Sequence, residues 1–144
     1  MTTAREVAAR LGMQAHPEGG WYVETWQPTG ADGSRGPGSA ILFLLAAGER
    51  SHWHRLDADE IWQWSGGDDL ELRTWTEGEA AIAVQRLSGD VVGAGASTQG
   101  FVPARAWQTA RTLGEWTLIG CIVAPAFTFD GFELAAPDWE PPLG

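Results

Sequence analysis

The chain has no lysine. Its nine basic residues are all arginine, set against nineteen acidic ones, and the formal charge is −10 over 144 residues. Without lysine there is no Schiff-base chemistry and no lysine general base. An acidic surface repels phosphate backbones, so nucleic acid is not an expected partner. Cys121 is the only cysteine, which rules out an internal disulfide and suits a reducing compartment. It lies in the apolar run 116–126 and reads as a small buried residue, not a nucleophile. No run is long and apolar enough to span a bilayer, and the N-terminus lacks the basic-then-apolar pattern of a signal peptide. A cytoplasmic protein with no membrane partner is the expectation. Nucleotide-binding loop, serine-nucleophile elbow, zinc-finger spacing, internal repeat and low-complexity tract are all absent.

Tryptophan is plentiful, with nine residues. Most lie in or beside apolar, β-branched segments, where core packing is their first role. Indoles around a polar cluster also make a dry, flat-walled pocket.

The length suits one domain, residues 1–144. Thr3-Ala-Arg-Glu6 has the form of a capping box and predicts a short helix from Ala4 to Leu11, stopped at Gly12. His16-Pro-Glu-Gly-Gly20 is a turn cluster. Strands are expected at 21–26, 39–47, 60–64, 70–75, 80–87, 101–102, 106–110, 116–124 and 130–135. Gly66-Gly-Asp-Asp69 reads as a hairpin turn. Residues 28–38 and 88–100 read as loops, and 137–144 as an irregular tail. Short strands at intervals of about ten residues with one helix argue for an all-β antiparallel sandwich or barrel.

Two of the three histidines, His52 and His54, sit two apart, followed by Glu60 and Gly67. On a regular strand, residues i and i+2 face the same way, so both imidazoles are expected to project together. Imidazoles with a carboxylate suit a divalent transition metal, and equally suit proton transfer near neutral pH. Glu60, Trp62 and Trp64 share strand parity, which sets two indoles beside the carboxylate. Burial beside indoles raises a carboxylate's pKa and favours general-acid work.

Gly48, His52, His54, Glu60 and Gly67 resemble the first cupin motif, with three residues between Gly48 and His52 and five between His54 and Glu60. Pro103-Ala-Arg-Ala-Trp-Gln108 resembles the second, with Arg105 in place of its glycine and Gln108 in place of its histidine. The closer resemblance is to the small cupins of the DUF985, or Cupin_5, family. Five stretches carry it: His16–Gly20, Ser51–Arg55, Asp59–Trp62, Val102–Ala104 with Trp107-Gln108, and Gly120–Pro125. The chain departs from that family where Gln63-Trp64-Ser65 follows Trp62.

The resemblance implies a double-stranded β-helix, a jelly-roll-like barrel over 16–136 after an N-terminal helical segment 1–15. It also implies one central ligand pocket and a homodimer. It implies no reaction. Candidate catalytic residues are His52 or His54 as base, Glu60 as acid or orienting group, and Gln108 as donor to a developing oxyanion. If a metal binds, His52, His54, Glu60 and Gln108 are the ligand set, for iron, zinc, manganese or nickel. Tyr22, Glu24, Trp53, Trp62, Trp64 and Trp107 are candidate ligand contacts, with either Trp21 or Tyr22 facing inward. Gln108 shares parity with Ala106 and Ala110, small neighbours that leave room for a ligand or fit a packed barrel. His16 reads as a loop residue, and Arg105 as a surface residue on a turn.

The leading reading is an isomerase, epimerase or cyclase acting on a carbohydrate or polyketide-like ring. A metal-dependent enzyme such as an oxygenase and a non-catalytic binding module are the alternatives. The dimer is expected to form by pairing of the 21–26 strand with a partner's edge.

Overall fold

The computed structural model describes residues 1–93 and 95–143. Ala94 and Gly144, within the expected 88–100 loop and 137–144 tail, lie outside the described residues. The helix α1 (Ala4–Leu11) has Thr3 as N-cap with both capping-box bonds in place, and Gly12 ends it in the left-handed region at φ 66°. Among the described residues twelve strands follow: β1 (Gln14–Ala15), β2 (Trp21–Trp26), β3 (Ser39–Ala46), β4 (Ser51–Leu56), β5 (Asp59–Gly67), β6 (Leu70–Trp75), β7 (Ala83–Leu87), β8 (Ala96–Ser97), β9 (Gln99–Val102), β10 (Trp107–Thr112), β11 (Trp116–Ala124) and β12 (Phe132–Leu134).

They form two six-stranded sheets, ordered β1-β2-β3-β11-β5-β9 and β12-β4-β10-β6-β7-β8. The sheets pack face to face without closing into one continuous ring, a jelly-roll arrangement. β3 is central in the first sheet, and Phe43, Leu44 and Leu45 are fully buried there, as its unbroken apolar run demands. Between the sheets lies the main core, built on Phe43, Leu45, Trp62, Leu70, Leu72 and Ile119.

Several expected elements differ. The 66–69 segment is not a hairpin turn: β5 pairs with β11 and β9, β6 with β10 and β7, and the connection crosses between sheets. Gly67 makes this corner at φ 81°, where an added Cβ would strike the Trp116 carbonyl. The 88–100 loop contains β8 and the start of β9. Its small residues carry no hydrophobic alternation, so backbone pairing with β7 and β5 decides its conformation. Residues 137–143 fold back over the second sheet, where Trp139 packs among Trp53, Trp75 and Trp107 with ring centroids 4.5–6.2 Å away.

One irregularity matters for function. Gln108 pairs with His54, but Ala110 pairs with Ser51, so β4 carries one residue more than β10 across this stretch. This is a β-bulge, and it reverses the inward-outward alternation of β4 between Ser51 and His54.

Candidate active site

The cavity opens between the two sheets. Its wall includes His16, Glu18, Tyr22, Glu24, His54 and Glu60, with Cys121, Phe127 and Phe129. Its free volume is small, about 60 Å3.

The bulge decides which histidine reaches it. Ser51 and His54 both turn inward and are buried. His52 does not join them. Its Nε2 lies 2.8 Å from the Ala136 carbonyl and its Nδ1 2.9 Å from the Arg50 guanidinium, so it ties β4 to the C-terminal segment. The i, i+2 rule requires an unbroken strand, and β4 is broken between these two residues.

His54 is bonded at both nitrogens. Nδ1 lies 2.8 Å from the His52 carbonyl, and Nε2 lies 3.0 Å from the Glu18 carboxylate. Both partners are acceptors, so both nitrogens donate and the ring is an imidazolium. Burial opposes that charge, but the adjacent Glu18 carboxylate outweighs it and raises the His54 pKa. Burial likewise pushes Glu18 upward, yet the His54 cation and the Ser51 hydroxyl, donating across 2.9 Å, hold it below the ordinary carboxylate range.

Glu18 comes from the turn before β2. Gly19 and Gly20 adopt φ 108° and 79°, and an added Cβ on Gly19 would collide with the Arg50 carbonyl. The His52 backbone N–H donates to the Glu18 carbonyl across 2.7 Å, which docks the turn on β4 and drives its carboxylate into the cavity. The same turn holds His16. Its Nδ1 accepts the Glu18 backbone N–H at 3.1 Å, and its ring stands edge-on to Tyr22 at 4.7 Å. Burial lowers the His16 pKa. The neutral ring therefore carries its proton on Nε2, which has no protein partner among the described residues.

Glu60 stands on β5, and burial pushes its pKa up to about 7. The Gln108 amide donates to it at 2.8 Å, while the Gln108 carbonyl oxygen accepts the Trp62 indole N–H at 2.9 Å. Gln108 is thus engaged by protein partners at both its nitrogen and its oxygen, behind the cavity wall, where it clamps the two sheets and positions Glu60. Ala106 and Ala110 belong to the packed core and do not line this cavity.

Tyr22 and Glu24 line the cavity, and Trp21 faces outward with 39% exposure. The expected indole walls are not there. Trp62 is buried beneath Gln108, and Trp64 packs at the core's edge with its N–H on the Asp68 carbonyl. Trp53 and Trp107 lie on the outer face of the second sheet, because the residues next to inward His54 and Gln108 must point away. The residues that sequence reasoning left out are Glu18, Phe127 and Phe129, while His16 and Cys121 were assigned no site role. Glu18 and His16 sit in a turn that carries the family resemblance, and that was the available signal.

The donors do not fit the four-ligand metal centre of a cupin. His52 is elsewhere, both His54 nitrogens donate to protein acceptors, and Gln108 offers only its N–H side to Glu60. Among the described residues no three His, Cys, Asp or Glu side chains are grouped to hold a metal ion.

The fold and its central cavity define a cupin. A family model described as "Cupin superfamily (DUF985)" matches residues 5–135, and the chain belongs to that family. It is similar to a solved structure of a Shewanella oneidensis protein, at 37% identity, 94% of this chain, 86% of that chain and a TM-score of 0.86. It is also similar to a hypothetical protein from Leishmania major, at 27% identity, 94% and 88% coverage and a TM-score of 0.82. Bacillus subtilis oxalate decarboxylase shares the fold alone, at 12% identity over 83% of this chain and 29% of that one, with a TM-score of 0.62. No protein of curated function matches the chain. No helix among the described residues is long and apolar enough to cross a membrane.

Proposed function

We propose that the chain is a small-molecule enzyme of isomerase, epimerase or cyclase type, working by proton transfer in this cavity. Glu60 carries the reading. It is a carboxyl group buried in the cavity wall, held by Gln108, with a pKa near 7 at which it both gives and takes a proton. His54, with both nitrogens donating, is not the base. As an imidazolium locked to Glu18 it supplies a fixed positive charge that favours the Glu60 carboxylate. The His16 Nε2–H is available to a substrate oxygen.

In this scheme a hydrogen on carbon next to a carbonyl leaves as a proton to the Glu60 carboxylate. The C–H electron pair passes into the carbonyl, and the resulting enolate oxygen accepts from His16. Return of the proton from Glu60 to a neighbouring atom gives the isomer.

The test is incubation of the native chain with a metabolite extract in D2O, read by mass spectrometry. One metabolite is expected to take up deuterium on carbon. Glu60→Gln is expected to slow that uptake by about 100-fold or more, the usual scale of general acid–base catalysis. Undiminished uptake with Glu60→Gln, or none with the native chain, sinks the reading.

A further inference from the structure

Among the described residues the cavity wall holds no cation except His54, and the Glu18 carboxylate occupies that one. None of the nine arginines lines it. Arg35 is engaged by Asp57 and the Ala126 carbonyl, Arg55 by Glu133, Arg73 and Arg111 by Glu71, and Arg86 by Asp69. Glu24 and Glu60 therefore face the cavity with no guanidinium opposite. Glu24 forms no hydrogen bond or ion pair among the described residues. The cavity lining also carries aromatic rings: Phe127 and Phe129 stand edge to face at 5.0 Å, with Phe132 packed against them at 5.8 and 6.1 Å. Carboxylates and aromatic rings lining one cavity suit a cation, which pairs with the former and is attracted by the latter. An anion would meet repulsion and no bidentate partner.

We infer that the ligand of this cavity is a compact organic cation, an amine on an apolar or ring-shaped body, and that Glu24 is the residue that selects its charge. The inference rests on the cavity being the ligand site, as the proposed function has it. It excludes phosphorylated and nucleotide-linked substrates, whose charge has no partner here and whose bulk exceeds the cavity.

Four probes of one shape and different charge test it: benzylamine, benzyl alcohol, benzoate and phenyl phosphate, each titrated calorimetrically against the full chain. Benzylamine is expected to bind, benzyl alcohol more weakly, and the two anions at least tenfold more weakly than the amine. Glu24→Gln is expected to lower benzylamine affinity severalfold, and Glu24→Lys to reverse the order of amine and benzoate. Both change an exposed side chain, and a thermal melt checks that they fold. Anions binding as well as benzylamine, an order unmoved by Glu24→Lys, or no benzylamine binding overturns the inference. Glu60→Gln separates this outcome from that of the proposed reaction. If the ligand class is right and the reaction wrong, benzylamine still binds the native chain while deuterium uptake is unaffected by that substitution. If the reaction is right and the class wrong, uptake falls while the charge order fails.

Discussion

The imidazole of His54 and the carboxylate of Glu18 meet at 3.0 Å in the cavity wall, one from a bulged strand and the other from a glycine-shaped turn. A buried ion pair contributes little when intact, but removing one member leaves the other charge unpaired. Glu18→Gln is expected to destabilise the protein by about 3–5 kcal/mol near pH 6. The pH dependence follows from the shifts. The raised His54 contributes stability that is full below its ordinary 6.5 and is lost as pH rises through its folded value. The lowered Glu18 contributes stability present above its ordinary 4.5 and lost as pH falls. The cost of Glu18→Gln should therefore shrink at pH 9. Urea unfolding at both pH values checks this, and equal costs would count against the pair.

Glu60 has the opposite sign. Its folded pKa, about 7, lies above its ordinary 4.5, so the folded state holds a proton that the unfolded chain releases. Stability falls as pH rises from about 4.5 to about 7 and then levels off. A rise of this size corresponds to on the order of 3 kcal/mol. Glu60→Gln keeps an acceptor for the Gln108 amide and removes the titration. It should flatten this part of the stability–pH curve and leave the variant more stable than the native chain at pH 8. Chemical denaturation across pH 5–8 reads both effects, and a variant curve parallel to the native one would refute the assignment.

The fold was legible because it rests on pattern: the capping box of α1, the aromatic β2, the apolar run of β3 and the evenly spaced short strands. The site was half legible. Of the candidate residues named by the motif, His54 and Glu60 do reach the cavity wall. His52 misled because a single extra residue in β4 shows only in its pairing with β10. Trp53 and Trp107 misled with it, since their sides follow from those of His54 and Gln108. Glu18 escaped because a turn residue has no periodicity. What brings it inward is a backbone bond to His52 and two glycines at positive φ.

His52 then has a structural part, bonding Ala136 and so fastening the segment that carries Trp139. His52→Ala should cost about 1 kcal/mol, one hydrogen bond, and speed proteolysis within residues 136–143. It should leave ligand binding unchanged. A loss of binding equal to that of His54→Ala would restore His52 to the site.

Arg105 occupies a backbone conformation at φ 73°, which L side chains rarely adopt, at the position where the second cupin motif has glycine. Its backbone N–H donates to the Leu56 carbonyl at 2.7 Å, a bond that glycine keeps. The left-handed conformation costs a non-glycine residue about 1–2 kcal/mol, against roughly 0.5–1 for the lost backbone freedom of glycine. Arg105→Gly should therefore raise stability by about 0.5–1 kcal/mol, while Arg105→Val should lower it. Thermal melts of the two variants check the order.

The last expectation is a homodimer, and the fold offers it a second candidate surface besides the 21–26 strand. β2 pairs with β3 along one side, and on the other the two-residue β1 covers only Trp21 and Tyr22. The outer face of the first sheet is the better surface. Its pairings align Trp26, Ala40, Ile122, Ile61 and Phe101 in one row across five strands. The four large residues of that row are 37–52% exposed. Paired residues share a face, so the row is a continuous apolar stripe, the kind of surface that monomers rarely leave to water. A two-fold axis across it would pair the stripe with itself. Light scattering at low micromolar concentration should give about twice the chain mass of 15.5 kDa. Ile61→Arg combined with Ile122→Arg should return it to one chain mass, with the cavity still binding its ligand. A native mass of one chain defeats the dimer, and a dimer that survives both substitutions defeats this face.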